Sequence, residues 1–165
     1  MADRRSRPTL SVCTRCRGID AGDSDEARAG YRLAQAIYDR FPASAAARAG
    51  VRLRGVRCMS QCKRACAIAL SDDAKFTLLF GDLDPERDSD AVLELARLYA
   101  DAADGLVARG ERPVALRAGI LGRIPPLGVD SALIDAAFAQ PEPARRRSAP
   151  AVSPVRAART QRRSA

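Results

Sequence analysis

Two strand-like runs in this chain each stop on a cysteine, and no other feature of the sequence constrains the fold as tightly. Thr9-Leu10-Ser11-Val12 alternates and ends at Cys13, the first residue of Cys13-Thr14-Arg15-Cys16. Val51-Arg52-Leu53-Arg54-Gly55-Val56-Arg57 alternates strictly and ends at Cys58, with Cys62 and Cys66 following at intervals of four. Alternation of this kind marks half-buried strands. If the two strands lie side by side and parallel, both thiol groups open at the same end of one sheet. The chain holds no histidine at all. A metal centre here is therefore all-thiolate, or thiolate completed by an oxygen ligand. His-containing zinc fingers, His-metal hydrolases, Rieske centres and Ser-His or Cys-His catalysis are all excluded together.

Between the two runs, Arg17 to Ser24 is polar and carries Gly18 and Gly22, as loops do. Asp23 or Ser24 can cap a helix starting near Asp25, with acidic residues in the first turn to complement its dipole. Ala27, Tyr31, Ala34, Ile37, Tyr38 and Phe41 form a helical apolar stripe that Pro42 ends. A second alanine-rich piece, 43–49, is broken by Gly50. Beyond the cysteines, Ala67-Ile68-Ala69-Leu70, the turn Ser71-Asp72-Asp73-Ala74 and Phe76-Thr77-Leu78-Leu79-Phe80 predict a β-hairpin. Asp82 and Asp84 of the following Gly-Asp-Leu-Asp-Pro run read as caps for the next helix. That helix is predicted over 88–107, with Ala91, Leu95, Leu98, Tyr99 and Ala102 on one face. Residues 112–126 read as extended and irregular, and 130–139 as a short last helix.

The order β-α-β-(cysteine loop)-β-β-α is the layout of a thioredoxin-like α/β sandwich with a mixed sheet. The first two strands are expected parallel through a crossover and the last two antiparallel. The expected organisation is a flexible N-terminus (1–8), one domain (9–127), a short helix (128–140) and a disordered basic tail (141–165). Charge supports that division. The formal net charge of +8 comes from the ends: the tail has seven arginines against Glu142, and Asp3 is outweighed by Arg4, Arg5 and Arg7. Residues 9–140 balance, so the basic character gives no specific nucleic-acid partner to the domain. No run approaches the roughly 20 apolar residues of a membrane span. The charged start lacks a secretory apolar region, and a cytoplasmic location is expected.

Four readings of the cysteines stand side by side: small buried hydrophobes, a structural zinc site, an iron–sulfur cluster, and disulfide redox chemistry. Cys58, Cys62 and Cys66 fall on one face if the segment is helical. Against a CxxC thiol oxidoreductase stand two features. A loop of eight residues separates Cys16 from the predicted helix, and Cys66 sits where thioredoxins carry a cis-proline. Arg15, Arg17, Arg57, Lys63 and Arg64 surround the cysteines, where cations favour thiolates and suit an acidic redox partner.

The stretch Val56-Arg57-Cys58-Met59-Ser60-Gln61-Cys62-Lys63-Arg64-Ala65-Cys66, with Lys75 to Pro85, Leu10 to Arg17 and Arg123-Ile124-Pro125-Pro126, resembles a bacterial family of predicted metal-binding proteins over residues 9–127. The chain is more distantly similar to the thioredoxin-like [2Fe–2S] ferredoxins. That resemblance implies an electron carrier holding a [2Fe–2S] cluster, with Cys13, Cys58 and Cys62 at matching positions. Cys16 and Cys66 depart from the ferredoxin pattern. The expected ligand set is Cys13, Cys16, Cys58 and Cys62, with Cys66 as substitute or auxiliary; zinc or cobalt in an accessory module is the alternative. The family resemblance further implies a redox partner protein in a cobalamin- or cobalt-related pathway. Arg123-Ile124-Pro125-Pro126 reads as a stiff strap across the domain or a partner-docking motif.

Overall fold

The computed structural model describes residues 7–17 and 28–138. The described residues up to Ile134 belong to one compact unit and 135–138 to another. Residues 1–6 of the expected N-terminal arm (1–8), the Asp23/Ser24 cap and the basic tail lie outside the described residues.

Five strands make one mixed sheet: β1 (Thr9–Cys13), β2 (Arg52–Val56), β3 (Ile68–Ser71), β4 (Thr77–Phe80) and β5 (Ile120–Ile124), in the order β2-β1-β3-β4-β5. β1 and β2 are parallel, with Cys13 opposite Val56. The β1–β3, β3–β4 and β4–β5 pairs are antiparallel. This is the thioredoxin-like sandwich predicted from the element order, extended by a fifth strand. β5 corrects the irregular reading of 112–126. Arg123 and Ile124 are ladder residues on an edge, opposite Leu78 and Thr77, rather than a strap over the domain. The segment escapes a pattern search because its alternation is interrupted by Gly122 and its outer face meets solvent.

Register explains the two faces of the sheet. Leu10, Leu70 and Leu78 lie in one cross-strand row. With Val12, Ile68 and Phe80 they pack against Leu33, Ile37, Val92, Leu95, Ala96 and Tyr99 of the helices. Thr9 and Ser11 lie on the other face, also buried. Arg52 donates to the Thr9 hydroxyl at 3.2 Å and Arg54 to the Ser11 hydroxyl at 2.7 Å, so the edge-strand arginines close over both hydroxyls.

Three helices follow the predicted order, with changed limits: α1 (Ala29–Arg40), the short α2 (Ala45–Arg48) and α3 (Ser89–Asp101). α2 is capped by Ser44, whose hydroxyl accepts the Ala47 N–H at 3.1 Å. α3 stops at Asp101, not Val107. Lys75 Nζ donates to the carbonyls of Tyr99 (3.3 Å) and Ala100 (2.7 Å), satisfying groups that a helix end leaves open. The Asp82 and Asp84 carboxylates do not cap α3. Asp84 accepts the backbone N–H groups of Glu86 and Arg87, and Asp82 pairs with Arg64.

In α1 the buried residues are Ala29, Gly30, Leu33 and Ile37. The predicted stripe is therefore offset: Tyr31 and Tyr38 turn outward, at 38% and 67% exposure. Two apolar stripes lie side by side on this helix, and only packing decides which one enters the core. The helix expected over 130–139 is reduced to a single 3-10 turn, Ala136–Phe138. Among the described residues no helix is long and apolar enough to cross a membrane.

Candidate metal centre

The end of β1 delivers Cys13, and the loop after it returns through Cys16 to meet α1. Gly30 N–H donates to the Cys16 carbonyl at 3.0 Å, and Ala29 N–H to the Arg17 carbonyl at 3.5 Å. The sequence places a loop between Cys16 and α1, but that loop does not separate them in space. The helix N-terminus sits directly on the cysteine turn. Only glycine allows this seat, because a Cβ on Gly30 would lie 2.4 Å from the Cys13 carbonyl oxygen and 2.8 Å from the Cys16 nitrogen. Gly30 is a site residue that sequence reasoning missed. Its one signal is a glycine in the first turn of a helix.

The second cysteine segment is held from two sides. Thr14 N–H donates to the Val56 carbonyl at 2.8 Å, tying the first cysteine turn to the end of β2. On the other side Cys66 N–H donates to the Leu83 carbonyl (3.2 Å) and Leu83 N–H to the Cys66 carbonyl (3.3 Å). Asp82 N–H donates to the Arg64 carbonyl at 2.9 Å, and the Arg64 guanidinium reaches both Asp82 carboxylate oxygens. Gly81 lets these segments approach, since a Cβ there would lie 2.5 Å from the Arg64 carbonyl oxygen. The Ala65–Cys66 peptide bond is cis, at the position where the sequence comparison with thioredoxins placed a cis-proline.

These constraints sort the five cysteines into two groups. Cys13, Cys16 and Cys66 are buried, whereas Cys58 and Cys62 are exposed. The segment from 58 to 66 is not the helical face predicted from its four-residue spacing. A 3-10 turn covers only Cys62–Arg64, and Cys66 then turns inward. Cys16 neighbours both Cys13 and Cys66 within this buried group. The donated hydrogen bond to Cys66, followed by burial, pushes the Cys16 thiol far above the ordinary thiol range. The same bond, accepted from Cys16, holds Cys66 below it. Burial raises Cys13, opposed by the backbone N–H groups of Arg15 and Met59. Met59 packs against the core cluster that includes Cys13. Ser60 N–H donates to Cys58 Sγ at 3.3 Å.

The site is a group of buried cysteines beside an exposed cysteine-bearing segment, where Ser60 N–H is bonded to the Cys58 sulfur. Among the described residues no three Cys, Asp or Glu side chains stand ready to hold a metal ion. The donor chemistry nonetheless fits a soft metal or an iron–sulfur core: thiolates only, with N–H groups placed to stabilise their charge. The same geometry does not suit a thiol nucleophile, which needs access and a depressed pKa. Cys13 and Cys16 have neither.

Fold and site together define a thioredoxin-like sandwich with a cysteine-rich pole. A family described as "Protein of unknown function (DUF1636)" matches residues 10–126, and the chain belongs to that family. No curated protein matches it significantly. Among solved structures, the chain is similar to that of a thioredoxin-like [2Fe-2S] ferredoxin from Aquifex aeolicus, with 18% identity and a TM-score of 0.46. The alignment covers 75% of this chain and 98% of that one.

Proposed function

We propose that the protein binds a metal centre through cysteine thiolates at this pole, and that the centre is an iron–sulfur cluster serving electron transfer. The observation carrying the proposal is the burial of Cys13, Cys16 and Cys66 as neighbours in one core cluster, drawn from two distant stretches of chain. Cys58 is the fourth ligand: it lies two residues beyond Val56, the β2 residue opposite Cys13. This assignment prefers Cys66 to Cys62, reversing the order that the ferredoxin resemblance implied. When bound, the cluster supplies one-electron transfer, and the exposed rim gives electrons a route to a partner. The protein's own residues hold the thiolates, exclude water from the floor through the packing of Cys13, Cys16 and Cys66, and stabilise negative charge through backbone N–H groups. The exposed Arg17, Arg57 and Lys63 suit a redox partner with an acidic surface.

Anaerobic purification tests this reading. About two irons and two acid-labile sulfides per chain, with visible absorption, are expected. Cys13→Ser, Cys16→Ser, Cys58→Ser and Cys66→Ser should each abolish the absorption, and Cys62→Ser should retain it. Colourless protein carrying one zinc would replace the cluster with a structural site. Metal-free protein under reducing, iron-replete conditions would end the proposal.

A further inference from the structure

Aromatic residues are scarce in this chain, three tyrosines and four phenylalanines in 165 residues. Tyr99, Phe76 and Phe80 are in the core. Three more, Tyr31, Tyr38 and Phe41, line a surface groove of about 510 Å³ along α1, with Pro42, Leu53 and Gly55 on its other walls. The groove runs beside β2, an edge strand. Arg52 N–H and the Val56 carbonyl bond toward β1, so by alternation the backbone groups of Leu53 and Gly55 point off the sheet edge. An aromatic-lined groove next to open strand hydrogen-bonding groups is suited to an extended, proline-containing segment, whose stiffness limits the entropy lost on binding.

The chain carries such a segment. Ile124-Pro125-Pro126-Leu127 leaves β5 with Ile124 at 58% and Leu127 at 98% exposure. It has the stiffness and apolar side chains that the groove accommodates, and it lies beyond the opposite edge of the sheet. Four strand spacings, roughly 19 Å, separate β5 from β2. Within one chain the segment and the groove thus stand apart, while each copy offers both. We propose that Ile124–Leu127 of one copy occupies the Tyr31/Tyr38/Phe41 groove of a second, and that the exchange is reciprocal. Reciprocity closes the assembly at two copies instead of propagating it.

Sedimentation velocity on the full chain, across micromolar to millimolar concentrations, tests the exchange without reference to any metal. Wild type is expected to show a monomer–dimer equilibrium. Leu127→Asp, which spoils the segment, and Tyr38→Ala, which spoils the groove, should each weaken it at least tenfold. Both side chains are largely exposed, so the thermal melts of the two variants should match wild type. Mixing the two variants restores one intact contact, because the groove of Leu127→Asp can receive the segment of Tyr38→Ala. The mixture should therefore associate more tightly than either variant alone. A wild-type chain that stays monomeric throughout would overturn the proposal. So would a dimer insensitive to both substitutions, or a mixture no tighter than its components.

Discussion

Gly30→Ala puts the seating of α1 on the cysteine turn to the test. The added methyl would lie 2.4 Å from the Cys13 carbonyl oxygen, 2.8 Å from the Cys16 nitrogen and 3.0 Å from the Cys16 Cβ. Two of these atoms are backbone, so no side-chain rotation relieves the contact. The helix start must retreat by about 1 Å to reach ordinary contact distance. That movement lengthens the 3.0 Å bond from Gly30 N–H to the Cys16 carbonyl. Overpacking costs about 1–3 kcal/mol, and the weakened hydrogen bond about 1 kcal/mol more. Alanine's better helix propensity returns up to about 1 kcal/mol. The expected net loss is about 1–3 kcal/mol, or roughly 4–12 °C in Tm for a domain of this size. Far-ultraviolet circular dichroism melts of the metal-free protein would measure it. The sign is decisive, because at an unconstrained helical position the same substitution stabilises. A Tm equal to or above wild type would refute the seating of α1 against Cys13 and Cys16. Metal content should fall in parallel, since the retreat displaces both cysteines.

Two further outcomes follow from the same structure. Tyr99→Phe removes a buried hydroxyl that donates to the Phe76 carbonyl at 2.9 Å; a loss of about 1–2 kcal/mol is expected, seen as a Tm lower by several degrees with the fold unchanged. The Asp82 and Asp84 carboxyls are held below the usual carboxylate range, Asp82 chiefly by the Arg64 guanidinium and Asp84 by the Glu86 backbone N–H and then Arg87. Each binds its proton less tightly folded than unfolded, so their stabilisation is complete above about pH 4 and drains as pH falls through the lower folded values. Melts from neutral to strongly acid pH should show this loss, and Asp82→Asn should flatten it; an unchanged acid limb would contradict the Arg64–Asp82 pairing.

Much of the sheet is readable from local pattern. Strict alternation in 51–57 and the apolar runs around Ser71-Asp72-Asp73-Ala74 mark β2 and the β3–β4 hairpin, because strand periodicity and turn chemistry are properties of a few adjacent residues. β5 is not readable in this way. Its pairing with β4 is formed by residues some forty positions apart, and an edge strand with one solvated face need not alternate. The α1 stripe shows a second limit. Ala34, Tyr31 and Tyr38 satisfy helical spacing as well as Gly30, Leu33 and Ile37 do, and spacing alone cannot rank two neighbouring faces of one helix.

The cysteine pole divides along the same line. Sequence by itself determined that any metal centre here is built from thiolates, with at most an oxygen ligand beside them, since histidine is absent, and that cysteines follow the first two strands. It also determined the order of elements from which a parallel β1–β2 pair follows. Only the tertiary structure decided which sulfurs share an environment. Spacing set Cys66 in line with Cys58 and Cys62, but two hydrogen bonds with Leu83 turn its side chain into the core beside Cys16. Neighbourhood in a folded chain is fixed by contacts between segments distant in sequence, and those contacts leave no periodic trace in either segment.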